Sequence, residues 1–199
     1  MSWTLQGHPV DGCYDILYAD PPWSYRDKGG PGGSTGAELQ YPTMKIADLM
    51  KMPVGELGSK NSVMFMWATY PTLPDALALG RAWGYEYKSI AFQWVKVYPS
   101  GKPRFGLGHW TRGNTEPCLL FTRGKPHRVD NAVSQLILSN ELLIAEIGRH
   151  SEKPFETRQR ILRLMGDLPA IELFARKNAP GWDSFGNDPA LAASVLYTP

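Results

Sequence analysis

The sequence has little cysteine, no long apolar run and almost no net charge. Cys13 and Cys118 are the only cysteines among 199 residues. They are too few for a disulfide framework or a cysteine-based zinc site, and this favours a reducing compartment. No stretch approaches the roughly 18 apolar residues of a membrane-spanning helix, and no basic segment followed by an apolar one resembles a signal peptide. We therefore expect a cytoplasmic protein that binds neither a membrane nor a metal ion.

The net charge of +2 is too small to indicate a nucleic-acid partner by itself. It permits such a partner where cations cluster, because the local density of charge decides binding to phosphates. A hydrophobic fraction of 43% is sufficient for one well-packed domain of this length, and the sequence contains no internal repeat. We expect a single domain over residues 1–199.

The chain is organised around a short apolar strand that ends in an acid. This strand is predicted over Tyr14–Ala19, and Asp20-Pro21-Pro22-Trp23 follows at once. Two prolines offer no N–H to a helix or a sheet and fix their own φ angles, so the strand must end there. Ligands of open α/β sheets bind at the carboxyl ends of strands. The sequence therefore predicts a crevice with a carboxylate, two prolyl carbonyls and an indole face.

Strands and helical patterns alternate along the rest of the chain. Strands are predicted at 14–19, 61–69, 87–97, 117–122, 142–147 and, last, 170–175, and helices at 45–50, 74–83 and 155–165, after a lead-in over 1–13. Thr43 is expected to cap the first helix. In the third helix the residues expected to face the core are Phe155, Ile161, Leu162 and Met165, and those expected to face solvent are Arg158, Arg160 and Arg163. This alternation predicts an α/β fold with a mainly parallel sheet.

Two loops are expected to be mobile and to flank the crevice. Residues 26–40 contain glycines at 29, 30, 32, 33 and 36, too many for a packed segment, and form either a disordered insertion or a lid over a substrate. Residues 98–114 interleave cations with aromatic side chains, which is typical of a segment that follows a phosphate backbone and stacks on unpaired bases, although a solvated loop is the alternative. The residues predicted to bind nucleic acid are Lys102, Arg104, His109, Trp110 and Arg112. A second basic cluster of Arg123, Lys125, His127 and Arg128 is expected to flank the same crevice.

Two charged residues near the carboxyl terminus have open interpretations. Glu172 lies inside an apolar strand, where an unpaired carboxylate is costly to bury. It is expected to form a salt bridge with Arg176 or to accept hydrogen bonds from ligand hydroxyls. Lys153 precedes the third helix and is either a ligand-binding cation or a surface charge. No glycine-rich dinucleotide fingerprint accompanies them, so a dinucleotide is not predicted.

Six motifs in collinear order resemble the MT-A70-like family of DPPW-type adenine-N6 methyltransferases. They are Asp20-Pro21-Pro22-Trp23, Tyr41-Pro42-Thr43-Met44, Gly108-His109-Trp110, Ser151-Glu152-Lys153-Pro154, the segment from Ile171 to Arg176, and Gly186-Asn187. The resemblance runs from about residue 14 to residue 189. It implies a Rossmann-like methyltransferase fold with helices on both faces of the sheet, S-adenosylmethionine as donor, and the exocyclic amino group of adenine as acceptor.

The resemblance also implies roles for individual residues. Those implied to contact the donor are Asp20, Pro21, Lys153, Glu172, Phe174, Arg176, Asn178, Asn187 and Asp188. Asn178 and Asp188 stand where relatives often carry other polar residues, which leaves their roles less secure. The short lead-in and the absence of an attached RNA-binding domain resemble bacterial and phage members, which favours DNA as substrate. An RNA adenine methyltransferase and a catalytically silent nucleic-acid-binding subunit are the alternatives, and a homodimer or a related partner subunit is possible.

The predicted catalytic residues are Asp20, Pro21, Pro22, Trp23 and Tyr41. The amino nitrogen of adenine is a poor nucleophile because its lone pair is conjugated with the ring. If the Asp20 carboxylate and the Pro21 carbonyl accept its two hydrogens, the lone pair turns out of the ring plane toward the methyl group. Catalysis then rests on positioning and on a negative charge placed where positive charge develops. Trp23 and Tyr41 are expected to hold the extruded base.

Overall fold

The computed structural model describes residues 2–5, 8–24, 43–98, 100–104, 106, 110–139, 153–187, 191 and 195–198. Their strands are β1 (Ser2–Leu5), β2 (His8–Pro9), β3 (Tyr14–Ala19), β4 (Gly58–Trp67), β5 (Glu86–Lys96), β6 (Thr115–Arg123), β7 (Leu136–Ser139), β8 (Ala170–Leu173), β9 (Asp183–Phe185) and β10 (Val195–Thr198). Their helices are α1 (Ile46–Lys51), α2 (Leu73–Ala82) and α3 (Glu156–Met165), with single 3-10 turns at Val54–Glu56 and Tyr70–Thr72. None of these helices is long and apolar enough to cross a membrane.

Seven strands form one sheet in the order β7-β5-β6-β4-β3-β8-β9. Every neighbouring pair is parallel except the two that involve β6, so six strands point one way and β6 points the other. The prediction of a mainly parallel α/β sheet is confirmed. Because of the single reversal, the amino end of β6 lies beside the carboxyl ends of its neighbours. We call this side of the sheet the carboxyl edge; it is marked by Ala19, Trp67, Lys96, Leu173 and Phe185 at strand ends and by Thr115 at the start of β6.

Alternate residues of the central strands enter two separate cores. Leu17 and Ala19 of β3 pack with α1 and α2 on one face of the sheet. Ile16 and Tyr18 pack with α3 on the other face. A strand buried on both faces needs apolar residues at successive positions, which is why β3 and the second half of β4 are continuously apolar in the sequence. The predicted helices on both faces are confirmed.

Several boundaries differ from the sequence predictions at the two ends of the chain. The expected lead-in contains β1 and β2, which pair with β10 in a separate three-stranded antiparallel sheet. The strand at 170–175 is shorter than predicted and is not the last, since β9 and β10 follow it. Strand β7 was not predicted, and the strand predicted at 142–147 lies outside the described residues.

Two predictions about the helices are wrong. Thr43 does not cap α1, which begins at Ile46 after Lys45 and has no side-chain cap. In α3, Ile161 and Met165 are buried as predicted, but Phe155 is 53% exposed. Arg158 and Arg160 are largely covered rather than solvated, with side chains 11% and 18% exposed, because each pairs with a glutamate.

Candidate active site

A cavity of about 470 Å³ opens at the carboxyl edge. Its walls come from the turn after β3, the ends of β4, β8 and β9, the start of β6, and Lys153, three residues before α3. The lining residues are Asp20, Pro21, Pro22, Trp23, Met44, Met52, Trp67, Ala68, Thr69, Glu116, Lys153, Phe174, Arg176, Phe185, Gly186 and Asn187. The sequence therefore placed the crevice correctly, at the end of its first long strand.

Hydrogen bonds fix the Asp20–Trp23 turn at the mouth of β3. The backbone N–H of Trp23 donates to the Pro21 carbonyl at 2.8 Å, and that of Met44 donates to the Pro22 carbonyl at 2.8 Å. The indole N–H of Trp23 donates to the Trp67 carbonyl at 3.1 Å. A carbonyl oxygen has two lone pairs, so Pro21 retains one for a ligand. Trp23 is only 6% exposed and forms a wall of the cavity rather than a projecting stacking surface.

The Asp20 carboxylate lies against a buried lysine. Lys153 Nζ is 3.0 Å from Asp20 Oδ2, and the Lys153 side chain is only 10% exposed. Burial raises the pKa of Asp20 above its ordinary value, attraction and hydrogen bonding by Lys153 oppose that rise, and the negative charge of Glu116 adds to it. The interpretation of Lys153 as a surface charge is therefore wrong, because the lysine lines the cavity and pairs with the acid.

Glu116 also lines the cavity, although it was not among the residues predicted from sequence. Its Oε2 is 3.5 Å from Lys153 Nζ, and its Oε1 accepts a hydrogen bond from Lys96. Burial would raise the pKa of Glu116, but the attraction and hydrogen bonds of Lys153 and Lys96 outweigh it and hold the pKa below its usual range. Asp20, Lys153, Glu116 and Lys96 thus form a row of alternating charges.

Aromatic side chains form another part of the cavity wall. Phe174 has φ of 62°, a left-handed conformation that non-glycine residues rarely adopt. Its ring stacks on Trp83 and meets the edge of Phe185. The strained backbone turns the chain directly after β8, so that Phe174 and Arg176 both reach the cavity. Arg176 and Asn187 thus line the cavity, and their implied contacts with the donor stay predictions.

Glu172 and Asn178 do not line the cavity. The partner of Glu172 is Arg158 and not the expected Arg176, since the Arg158 guanidinium donates to Oε2 at 2.6 Å and to Oε1 at 2.7 Å. Asn178 is exposed, and its side-chain oxygen accepts a hydrogen bond from Ser184 at 2.7 Å. The implied donor contacts of these two residues stay predictions that this geometry does not support.

Substituting Arg158 is expected to destabilise the fold strongly. Arg158→Met leaves the buried Glu172 carboxylate without its bidentate partner, and we expect the free energy of unfolding to fall by about 3–5 kcal/mol. Urea denaturation at pH 7 measures this loss. The double variant Arg158→Met/Glu172→Leu removes both charges and should recover most of it. A single variant as stable as the parent would show that the pair does not compensate the buried charge.

The two basic clusters lie at opposite ends of the strands, one before β6 and one after it. Residues 98–114 connect the end of β5 to the start of β6 at the carboxyl edge. Within this segment Lys102, Trp110 and Arg112 are exposed and Arg104 is half-buried, and none of them lines the cavity. The second cluster follows the far end of antiparallel β6, where Arg123 donates to the carbonyls of Gly55 and Ser59. The expectation that both clusters flank one crevice is therefore wrong.

Three predicted site residues, Tyr41, His109 and Asp188, lie outside the described residues, as does the glycine-rich segment 26–40. Within the part of the chain that is described, no group of three or more His, Cys, Asp or Glu side chains could hold a metal ion.

A mainly parallel sheet with one reversed inner strand, and a cavity built on Asp-Pro-Pro-Trp at its carboxyl edge, define a Rossmann-like methyltransferase. The family model MT-A70 matches residues 14–188. The chain therefore belongs to the MT-A70 family, as its motifs suggested, and is an adenine-N6-specific nucleic-acid methyltransferase. The methyl-transfer chemistry of the family implies S-adenosylmethionine as donor.

Individual relatives differ in how much of their length the chain spans. The chain is 34% identical to the type II methyltransferase M.MunI of Mycoplasma sp over 191 residues, which are 87% of this chain and 76% of the relative. It is 28% identical to the human N(6)-adenosine-methyltransferase catalytic subunit METTL3 over 188 residues, 88% of this chain but 28% of that protein. It is 29% identical to the N(6)-adenosine-methyltransferase MT-A70-like protein of Arabidopsis thaliana over 188 residues, 88% of this chain but 24% of that protein. The chain thus spans most of the bacterial relative and about a quarter of the eukaryotic ones.

Proposed function

We propose that this protein transfers the methyl group of S-adenosylmethionine to the exocyclic amino group of adenine in DNA, with the Asp20–Trp23 turn as the catalytic element. The observation that carries the proposal is that Asp20 and Pro21, which offer a carboxylate and a backbone carbonyl, both line one cavity. These two acceptors match the two hydrogens of an amino group. No nucleophilic side chain is required, because the attacking atom belongs to the substrate.

The cavity residues fit the parts of S-adenosylmethionine. Lys153 and Arg176 supply cations for its carboxylate, and Asp20 supplies an anion for its ammonium or sulfonium. Asn187 can pair with ribose hydroxyls, and the rings of Phe174 and Phe185 offer apolar faces for its adenine. The cavity volume lies in the range of about 300–1,000 Å³ that small-molecule sites occupy. Once bound, the donor supplies an electrophilic methyl group on a positively charged sulfur.

The residues of the chain then position and activate the target amino group. Lys153 holds Asp20 through Oδ2, which leaves Oδ1 as the second acceptor of that carboxylate. Oδ1 and the remaining lone pair of the Pro21 carbonyl accept the two amino hydrogens, so the nitrogen lone pair leaves conjugation with the ring. The carboxylate charge stabilises the positive charge that develops on this nitrogen. As the nitrogen–methyl bond would form, the sulfur–methyl bond would break to leave a neutral thioether. The positively charged nitrogen is acidic before it regains conjugation, and its proton would pass to water.

DNA is favoured over RNA because the chain matches a compact bacterial type II methyltransferase over most of its length. The eukaryotic relatives are named for adenosine, the ribonucleoside, and they are the basis of the RNA alternative. Initial rates on single-stranded and duplex DNA and on RNA of the same sequence test this choice. Faster transfer to either form of DNA supports it. Faster transfer to RNA would establish the alternative, and no transfer to any of them would favour a silent subunit.

We further propose that residues 98–114 bind the nucleic acid at the carboxyl edge. Trp110 is 99% exposed, an unusual position for a tryptophan, and Lys102, Arg104 and Arg112 accompany it. Exposed aromatic rings stack on unpaired bases while neighbouring cations follow the phosphates. His109 of the same segment and Tyr41 stay proposed contacts to the substrate.

Substitutions in this segment should weaken binding of single-stranded DNA. Trp110→Ala removes a stacking face, and we expect the Kd to rise about 5- to 150-fold. Arg112→Gln should reduce the slope of log Kd against log salt by about one. Fluorescence anisotropy with a labelled oligonucleotide measures both effects. Arg128→Gln, an exposed cation beyond the opposite end of β6, is the control that should leave the Kd unchanged. Equal effects of Arg112→Gln and Arg128→Gln would contradict the assignment.

We also propose that residues 1–199 act as one methyltransferase domain in the cytoplasm, alone, as a homodimer or with a related subunit. Asp188 stays a proposed donor contact beside Asn187, and Glu172 and Asn178 are proposed to support the site indirectly through β8 and β9.

A further inference from the structure

We propose that Glu116, backed by Lys96, is a positioning residue for methyl transfer: it shares the Lys153 ammonium with Asp20, so that the catalytic carboxylate is held in place without being neutralised by its own ion pair. The role in transfer rests on the function proposed above. The arrangement of charges stands on the geometry of the site alone.

The reversed direction of β6 brings Glu116 to the cavity. Glu116 is the second residue of β6, and its Cα is the register partner of Trp94 near the end of β5. In a strand parallel to its neighbours, the second residue would lie at the other side of the sheet. The fold therefore places a glutamate beside Lys153 although the two are far apart in sequence.

Each charge in the row is held by its neighbours. The Lys153 ammonium lies 3.0 Å from Asp20 and 3.5 Å from Glu116, so two carboxylates compete for one cation. The side chain of Glu116 is only 14% exposed. Burying its charge would be costly if its only cation were a lysine that it shares with Asp20. Lys96 supplies the remaining charge from β5, where its ammonium also lies 4.9 Å from the centre of the Trp94 ring. The row thus contains two anions and two cations, and Arg176 adds a further positive charge near Asp20.

This arrangement of charges suits the proposed chemistry. An acid in a tight pair with one lysine is a weak acceptor, because the cation withdraws charge from both of its oxygens. Glu116 also attracts the Lys153 ammonium, which weakens the pairing of Lys153 with Asp20. The Asp20 carboxylate therefore keeps more of its negative charge for the substrate nitrogen. Because Lys96 also pairs with Glu116, the attraction of Glu116 for Lys153 is weaker, and Lys153 stays near Asp20. The other groups that face Asp20 are Arg176, which stabilises its charge, and the buried Cys118 thiol, which is kept protonated by burial.

The inference predicts opposite effects for two neutralising substitutions. Glu116→Gln removes a negative charge that competes with Asp20 for the Lys153 ammonium, so the carboxyl titration of Asp20 should move about one pH unit lower. Lys96→Met removes a positive charge and lets Glu116 draw Lys153 away, so the same titration should move higher. NMR of carbon-13-labelled aspartate in the unliganded full chain follows this titration. The Asp20 signal is assigned by its loss in Asp20→Asn.

Matched controls separate this role from a merely structural one. Lys88 and Glu86 form an exposed pair at the other end of β5, and Glu86→Gln and Lys88→Met should leave the Asp20 titration unchanged. Shifts of Asp20 in the same direction for Glu116→Gln and Lys96→Met, or no shift in either, would overturn the inference. If Glu116→Gln does not fold, the upward shift in Lys96→Met decides alone.

Kinetics test the link to the reaction. Glu116→Gln should lower kcat about tenfold while the KM for nucleic acid changes little, since the acceptor is weakened and not displaced. An unchanged kcat in an active parent enzyme would contradict the positioning role. An inactive parent would instead contradict the proposed function, and the NMR titrations would still decide the charge arrangement.

Discussion

Replacing Asp20 with asparagine or alanine is expected to reduce kcat at least about 10²- to 10³-fold. Asparagine keeps the shape of the side chain but removes the negative charge that faces the developing positive charge on the substrate nitrogen. Alanine removes both acceptors of the carboxylate. Transfer of a labelled methyl group to DNA under saturating donor measures the loss. Turnover near the parent rate in either variant would contradict the mechanism.

The loss should arise in the chemical step, so donor binding needs a separate measurement. Lys153, Arg176 and Asn187 stay in the cavity wall when Asp20 is substituted. Titration calorimetry with the donor should therefore show binding that is retained at least in part. Asp15→Asn is the control, because Asp15 precedes the same turn on β3 but does not line the cavity.

Lys153→Met is expected to lower kcat about 100-fold, because the Asp20 carboxylate loses the ammonium that holds it in position, and to change the pH dependence of kcat. In the variant, burial and the negative charge of Glu116 still raise the pKa of Asp20 while only the weaker attraction of Arg176 opposes them among the groups named above, so this pKa rises further above its ordinary value. The carboxylate form is then lost at a higher pH, and the acid limb of the kcat profile moves upward. Measurements of kcat between about pH 5 and about pH 9 reveal this shift.

The control for this substitution is Lys125→Met, an exposed lysine beyond the far end of β6. Its profile should match that of the parent protein. If the acid limb of Lys153→Met stays in place or moves to lower pH, Lys153 does not stabilise the ionised form of Asp20 during the reaction.

The centre of the fold and the catalytic turn were predictable from sequence because local rules decide them. An apolar run over Tyr14–Ala19 that is buried on both faces must be a central strand, and the prolines after Asp20 force it to end. The carboxylate therefore had to lie at a strand end. The resemblance then supplied Lys153, Phe174 and Arg176, all of which the fold brings into the cavity wall.

Strand direction was not predictable, and one reversal explains two errors. The apolar run of β6 has the same composition whichever way the strand points, so periodicity does not reveal its direction. Glu116 was consequently missed at the start of the strand, while the cluster after Arg123 was assigned to the wrong side of the sheet. An acidic residue at the start of an apolar strand was the available signal.

Pairing between residues far apart in sequence was the second feature that could not be predicted. Arg158 follows the polar pattern of a solvated helix face, yet it turns inward because the buried Glu172 requires two hydrogen-bond donors. Only the packing of α3 against β8 decides which arginine supplies them. Similarly, β1 and β10 pair across almost the whole chain, and neither strand has a strong local signal.

The most direct test of the central claim identifies the methylated atom. The protein is incubated with S-adenosylmethionine carrying a heavy-isotope methyl group and DNA of mixed sequence, and the digested nucleosides are analysed by mass spectrometry. The proposed function predicts N6-methyldeoxyadenosine with the heavy label, formed by the parent protein and absent with Asp20→Asn. Label on another base, or equal N6 labelling by Asp20→Asn, would contradict the account.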